Sequence, residues 1–403
     1  MRRKEKTLKM KFRHRVMAFA AVLVMMLSLI SAVPVQAENI APTTNLTTTF
    51  KKYLVMDENA NVPDVDFTFT ISAGNAVSAN GSRVIYAGDD SRVTGFPVLK
   101  VDGTGSTTSI ITAFNSGDTT YNSVEAGDTV TLDSGQKYAK KTVEVDFGNV
   151  DFNAPGIYRY VITENENTQD GITDDNILTR TLDVFVEYEN ENSGQLIVSD
   201  YILYPGTKTD SADVPSANKD DGFTNTYTTH DLTLEKQVTG NQGDRDKYFE
   251  FTVEITNAVK ETVYTVDLQN ADANPTVDED VKTNADTLNA TDGTVTSTYY
   301  LKDDQSIVIQ GLTAGTNYTI TETGYTSDGY ETSYVIDTNT KVDNSDTGAQ
   351  IMGENDHKVT FTNNKEGTVP TGILLETAPY IVLGVVVLVG LAILFMTGRR
   401  RVR

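Results

Sequence analysis

The sequence predicts an all-β fold, built as two tandem β-sandwich domains of similar plan. Three observations carry that reading. Short runs rich in Val, Ile, Thr, Tyr and Phe alternate apolar and polar residues, as in DFTFTI (Asp66–Ile71), YRYVIT (Tyr158–Thr163), LDVFVEY (Leu182–Tyr188), FEFTVEI (Phe249–Ile255) and NYTITE (Asn317–Glu322). Turns rich in Gly, Asn, Asp and Ser separate them, and no stretch between the two ends carries the period of a long amphipathic helix. The same pieces also recur in the same order in two halves. Short alternating strands of this kind bury one face each, and an immunoglobulin-like sandwich is the architecture that lets them do so.

The first half begins with TFKKYL (Thr49–Leu54), continues through DFTFTI and PGIYRYVITE (Pro155–Glu164), and ends with GFTN (Gly222–Asn225). The second begins with LTLEKQV (Leu232–Val238), continues through FEFTVEI and AGTNYTITE (Ala314–Glu322), and ends with TFTN (Thr360–Asn363). The boundary is expected near Thr228 to His230, giving domains over 38–229 and 230–367.

Both ends of the chain are directed at a membrane. A basic stretch, Arg2 to Arg15, precedes an apolar run, Val16 to Ile30, and small residues close at Val35-Gln36-Ala37. That pattern is a secretory signal peptide over 1–37, cleaved after Ala37. At the other end the apolar segment Tyr380 to Met396 is just long enough for a transmembrane helix, and the Arg399-Arg400-Arg401 cluster behind it is expected to stay in the cytoplasm. The body of the chain is therefore read as extracellular.

Composition excludes several functions. The formal net charge is −23 even with the basic residues crowded at the two ends, so the extracellular part is more acidic still. Such a surface repels nucleic acid and anionic membranes. There is no cysteine, which removes thiol catalysis, Cys-ligated metals and disulfides, and leaves open what staples an exported protein. Only three His are present, and no nucleophile-elbow motif accompanies them. Asp57-Glu58-Asn59-Ala60-Asn61 opens like a calcium loop, but Val62 stands where that loop needs Gly and Thr68 where it needs Glu. Neither a metal nor a cofactor is expected.

What remains is a polar triplet placed in apolar register. Successive strand side chains alternate between faces, so Phe50, Lys52 and Leu54 share one face, as do Leu234, Lys236 and Val238. Tyr158, Tyr160, Ile162 and Glu164 share another, and Tyr318, Ile320 and Glu322 repeat it. Asn225 follows Phe223, and Asn363 follows Phe361. Each half thus offers Lys, Glu and Asn to its core in that order. Burial lowers a Lys pKa and raises a Glu pKa. A neutral amine held beside an Asn carboxamide in a dry core can attack its carbonyl, with a protonated Glu polarising the carbonyl and moving protons. Ammonia leaves, and an amide bond joins the first strand of the half to its last.

The segments FKKYL, VPDVDFTF, PGIYRYVITE, TGNQGDRDKYFEF and YTITE, the two FTN strands, and VPTG ahead of TAPYIVLG together resemble the Gram-positive backbone pilins that carry streptococcal-type isopeptide-linkage domains. The resemblance implies bonds Lys52–Asn225, with Glu164 as catalytic acid, and Lys236–Asn363, with Glu322. Lys51 is the neighbour of Lys52, but only Lys52 shares the register of Phe50 and Leu54; Glu166 is in phase with Glu164 but lies beyond the strand.

The tail over 368–403 is similar to a sortase sorting signal, with Val369-Pro370-Thr371-Gly372 cut between Thr371 and Gly372. Polymerisation would join Thr371 to a lysine of the next subunit. Lys219 matches that lysine best by its distance from FTN, with Lys208 as the alternative. The implied function is a structural fibre subunit on the wall of a Gram-positive cell. Its partners would be identical subunits, a sortase, peptidoglycan, and further minor pilins or host ligands. The competing reading is a monomeric wall-anchored adhesin, and the only catalysis implied is the single-turnover formation of the internal bonds.

Overall fold

The computed structural model describes residues 45–78, 84–190, 194–209, 219–367 and 382–393. Among them the chain runs through 27 strands, numbered β1 to β27 in chain order, with one short 3-10 turn at Thr326–Asp328. Strands β1 to β15 and strands β16 to β27 pair only within their own set.

In the first set, β1 (Thr47–Asp57) lies between β15 (Gly222–Tyr227) and β9 (Gln136–Asp146), and β12 (Ile172–Thr173) borders β15. The facing sheet has β11 (Gly156–Glu164) between β13 (Thr179–Tyr188) and β2 (Val65–Ala73), with β14 (Leu196–Pro205) at one edge. Phe50, Leu54, Phe67, Phe69, Ile162 and Phe223 meet between the two sheets.

The second set repeats the plan. Here β16 (His230–Thr239) lies between β27 (His357–Asn364) and β23 (Ser306–Leu312), and β25 (Glu331–Ile336) borders β27. Facing them, β17 (Phe249–Thr256) separates β22 (Val295–Leu301) from β24 (Asn317–Glu322). Leu234, Phe251, Ile320 and Phe361 belong to this second core.

One pairing is common to both halves and matters most. The first strand of each half lies parallel to the last, β1 beside β15 and β16 beside β27. All other neighbours of β1 and β16 run antiparallel.

Simple alternation fails along β1, where both faces are buried from Lys52 to Met56. The chain between β2 and β9 folds back over the outer face of the sheet. There Tyr53 and Val55 form a small second core with Val130 and Tyr138. Lys51 also points outward and pairs with Asp128 at 2.6 Å. The two halves touch at their junction: Val259 packs with the first core, and Asn61 Nδ2 donates to the Val263 carbonyl at 2.6 Å.

The signal peptide, the cleavage position Ala37 and the Val369-Pro370-Thr371-Gly372 motif lie outside the described residues. Of the C-terminal apolar segment, residues 382–393 are helical and exposed. Among the described residues no helix is long and apolar enough to cross a membrane.

Candidate functional site

The parallel pairing of β1 with β15 sets Lys52 opposite Phe223 and Leu54 opposite Asn225. Lys52 and Asn225 are therefore diagonal neighbours on the inner face of one sheet, and Glu164 reaches them from β11 in the other. All three are buried, with Lys52 and Asn225 at 0% exposure. The Lys52 ammonium donates to Glu164 Oε1 at 2.6 Å and to Asn225 Oδ1. It also sits 4.1 Å from the centroid of the Phe67 ring, which closes the site against water. Glu166 is exposed.

Gly222 is what lets β15 come this close. A Cβ built there would stand 1.9 Å from the carbonyl oxygen of Lys51, so any side chain would force the parallel strands apart. Gly222→Ala is expected to lower the melting temperature of the first half, as scanning calorimetry would measure, with no effect on the second.

The second site has the same geometry of strands. Lys236 is opposite Phe361, Val238 is opposite Asn363, and Glu322 enters from β24 on the facing sheet. Lys236 and Asn363 are 0% exposed and Glu322 is 1% exposed. Lys236 Nζ stands 3.0 Å from Glu322 Oε1, within ion-pair reach but off the hydrogen-bond direction, and 4.2 Å from the Phe249 centroid. Asn363 and Thr332 lie against the Glu322 carboxylate, and their interactions with it oppose its upward shift.

The electrostatics of the two sites agree. Burial draws the Lys52 amine down to about 8, although the Glu164 carboxylate beside it works in the other direction. Burial likewise draws Lys236 down to about 8 against Glu322. Both glutamates move up, again because burial disfavours the charged form, with Lys52 and Lys236 opposing the rise. Each pair is thus shifted toward neutral amine and neutral acid, the protonation state in which an amine is a nucleophile and a carboxylic acid a proton donor.

Sequence reasoning passed over the residues around the first site. Asp174 accepts from Asn225 Nδ2 at 3.0 Å, and Asp175 is held by Arg180 at 2.8 Å. These residues lie in a polar turn after β12, where sequence alone gives no sign of an inward course.

Lys219 is exposed at the rim of a cleft of about 180 Å³ that also takes in Phe50, Tyr201 and Asp221. The backbone at Lys208 is pinned, its carbonyl accepting from Arg159 Nη1 at 2.9 Å and its N–H donating to Thr181 Oγ1 at 2.9 Å.

Comparison with known proteins finds relatives among pilins. Residues 48–228 match the Spy0128-like isopeptide containing domain, and residues 230–365 match a domain of unknown function. Over 388 residues the chain is 28% identical to a pilin of Streptococcus pyogenes serotype M1, covering 94% of this chain and 97% of that one. Over 148 residues it is 34% identical to the pilus tip adhesin Cpa of Streptococcus pyogenes, which is 37% of this chain and 18% of the adhesin. The crystal structure of the major pilin from Streptococcus pyogenes superposes with a TM-score of 0.52 at 23% identity, covering 81% of this chain and all of the other, so the fold is shared. With residues 48–228 matched by the isopeptide-containing domain and almost its whole length aligned to a pilin, the chain is similar to the streptococcal-type major pilins.

Proposed function

We propose that the chain is the backbone subunit of a covalent surface fibre, closed internally by Lys52–Asn225 and Lys236–Asn363 amide bonds and joined head to tail by a sortase. The observation that carries this reading is the repeated triad. Two halves with different sequences each bring one Lys, one Glu and one Asn together in a dry core, on the same three strands of the plan. A stability role alone is a poor account of it, because a buried ion pair seldom outperforms apolar residues of the same volume. As a reaction centre it is coherent. The amine is the nucleophile, the Asn carboxamide the electrophile, and Glu164 or Glu322 the group that moves protons. The domains are then 38–229 and 230–367, each sealed by its own bond.

Assembly uses the two ends of the molecule. The precursor is exported by residues 1–37, held by the apolar segment, and cut by a sortase between Thr371 and Gly372. The Thr371 carbonyl passes to a lysine of the next subunit or, at the base, to peptidoglycan. Lys219 suits the acceptor role, since it is exposed where Lys52 and Lys236 are sequestered. A head-to-tail contact between different surfaces does not close on itself and gives a fibre.

Lys219→Arg keeps the charge but removes the primary amine. It is expected to abolish the ladder of covalent multimers on denaturing gels while both internal bonds still form. Tryptic digests of wild-type fibres should contain a branched Lys219–Thr371 peptide. A branch at Lys208 would relocate the acceptor, and Thr371 found joined only to cell-wall peptide would replace the fibre with a monomeric adhesin.

A further inference from the structure

The two sites share a topology but differ at the edge of the sheet. In the first half, β12 pairs with β15 only through Ile172 and Thr173, opposite Tyr227 and Thr226. The chain leaves the ladder before it reaches Asn225, and Asp174 and Asp175 turn in toward the carboxamide. Asn225 Nδ2 donates to Asp174 Oδ1 at 3.0 Å, and the backbone N–H of Asp175 donates to Asn225 Oδ1 at 3.1 Å. The orientation of the amide is fixed by its partners: Oδ1 meets two donors, Lys52 and Asp175, while Nδ2 meets an acceptor.

The turn is itself anchored. The Asp175 carboxylate accepts from Arg180 Nη2 and from the Thr224 N–H, both at 2.8 Å. Arg180 in turn holds Asp220 at 2.6 Å and donates to the Gly222 carbonyl at 2.9 Å. In the second half, β25 runs alongside β27 from Val359 to Asn364 and pairs Thr332 with Asn363. A paired strand, not a turn, therefore stands beside Asn363.

We infer that the Asp174–Asp175 turn belongs to the reaction centre of the first site, the Asp175 N–H stabilising the oxyanion and the Asp174 carboxylate holding the departing nitrogen. This rests on the reading of Lys52, Glu164 and Asn225 as a bond-forming triad. Lys52 Nζ attacks Asn225 Cγ as the free amine, and the carbonyl electrons move onto Oδ1, where the Asp175 N–H already points. Such a preorganised donor acts where charge develops and needs no reorganisation during the step. Glu164 gives its proton to Nδ2 and recovers one from Nζ. The Cγ–Nδ2 bond breaks, the carbonyl reforms, and ammonia leaves. Asp174 acts on the nitrogen by orientation: its hydrogen bond fixes the rotation of the carboxamide and leaves Oδ1 to Lys52 and Asp175. Both aspartates push the Glu164 carboxyl toward its protonated form and, by the same charge, favour the protonated Lys52 amine.

The test uses the full chain with Asn363→Ala, so that only the first site can release ammonia, followed by intact mass from the earliest sample after synthesis. The parent is expected to be complete. Asp174→Ala is expected to form the bond at least about tenfold more slowly, the worth of one hydrogen bond to a charged group. Asp174→Asn, whose carboxamide oxygen can still accept, should recover most of the rate and so exclude a folding defect as the cause. In a chain with both asparagines intact, Asp174→Ala should leave the second ammonia loss unchanged. An unaltered rate in Asp174→Ala, or equal slowing in the Ala and Asn variants, would overturn the role of Asp174 while leaving the triad in place. Absence of any ammonia loss in the unsubstituted protein would instead remove the triad reading itself.

Discussion

Purified protein, unfolded in acid and weighed intact, is expected to be lighter than its calculated chain by two molecules of ammonia, one for each Lys–Asn pair. Amide formation from an amine and a carboxamide is sluggish in water, and two features of the sites lift that restriction. The amine is fixed against its target, which replaces a bimolecular encounter by a contact already made. The Glu supplies general acid and base assistance, worth roughly 10²–10⁴ in rate. Glu164→Ala should therefore forfeit one ammonia and Glu322→Ala the other, with the double variant showing the calculated mass. A single missing ammonia in Glu164→Ala would assign the two losses independently. A wild-type mass equal to that calculated would remove the bonds from both halves.

The second large effect is on stability. In the chain-entropy treatment of a crosslink, closing a loop as long as either half contributes about 5 kcal/mol through the unfolded state. Lys236→Ala forfeits that bond and leaves Glu322 buried with no charge opposite it. The melting temperature of the second half is expected to fall by roughly 10–20 °C, and trypsin should cut sites within it that are resistant in the parent. The first half, with its own core and its own triad, should melt as before. Unchanged melting and unchanged proteolysis would mean that Lys236 takes no part in a crosslink.

Much of this was legible from strand alternation alone. Lys52, Glu164, Asn225 and their counterparts are the polar residues that keep step with Phe, Leu and Ile, and the structure buries each triplet in a core. The method works because an inward register is a property of the strand itself. It fails where burial is created by something distant in sequence. Tyr53 is on the outer face of β1 and is buried in a cluster with Val130 from the covering chain and Tyr138 of β9. Arg159 is on the outer face of β11 and is buried by a bidentate pairing with Asp183. Asp174 and Asp175 look like solvated turn residues, and only the shortness of β12 brings them to Asn225. None of these has a periodic signature, since each depends on where a loop ends.

The parallel pairing of first and last strands also has a consequence for the order of events during export. A chain emerging N-terminus first presents β1 long before β15, and β16 long before β27. Contacts between such distant segments are the slowest to form. On the proposed function, neither amine could meet its carboxamide until the entire half had crossed, so sealing would signal completion. The seal is also selective, because a one-residue slip of β1 would turn Lys52 to the outer face. A disulfide formed in the wrong place can be reshuffled, whereas an amide cannot. On the proposed function this chain, which has no cysteine, would depend on register being correct before the irreversible step, and its strand order would postpone that step until register could be checked.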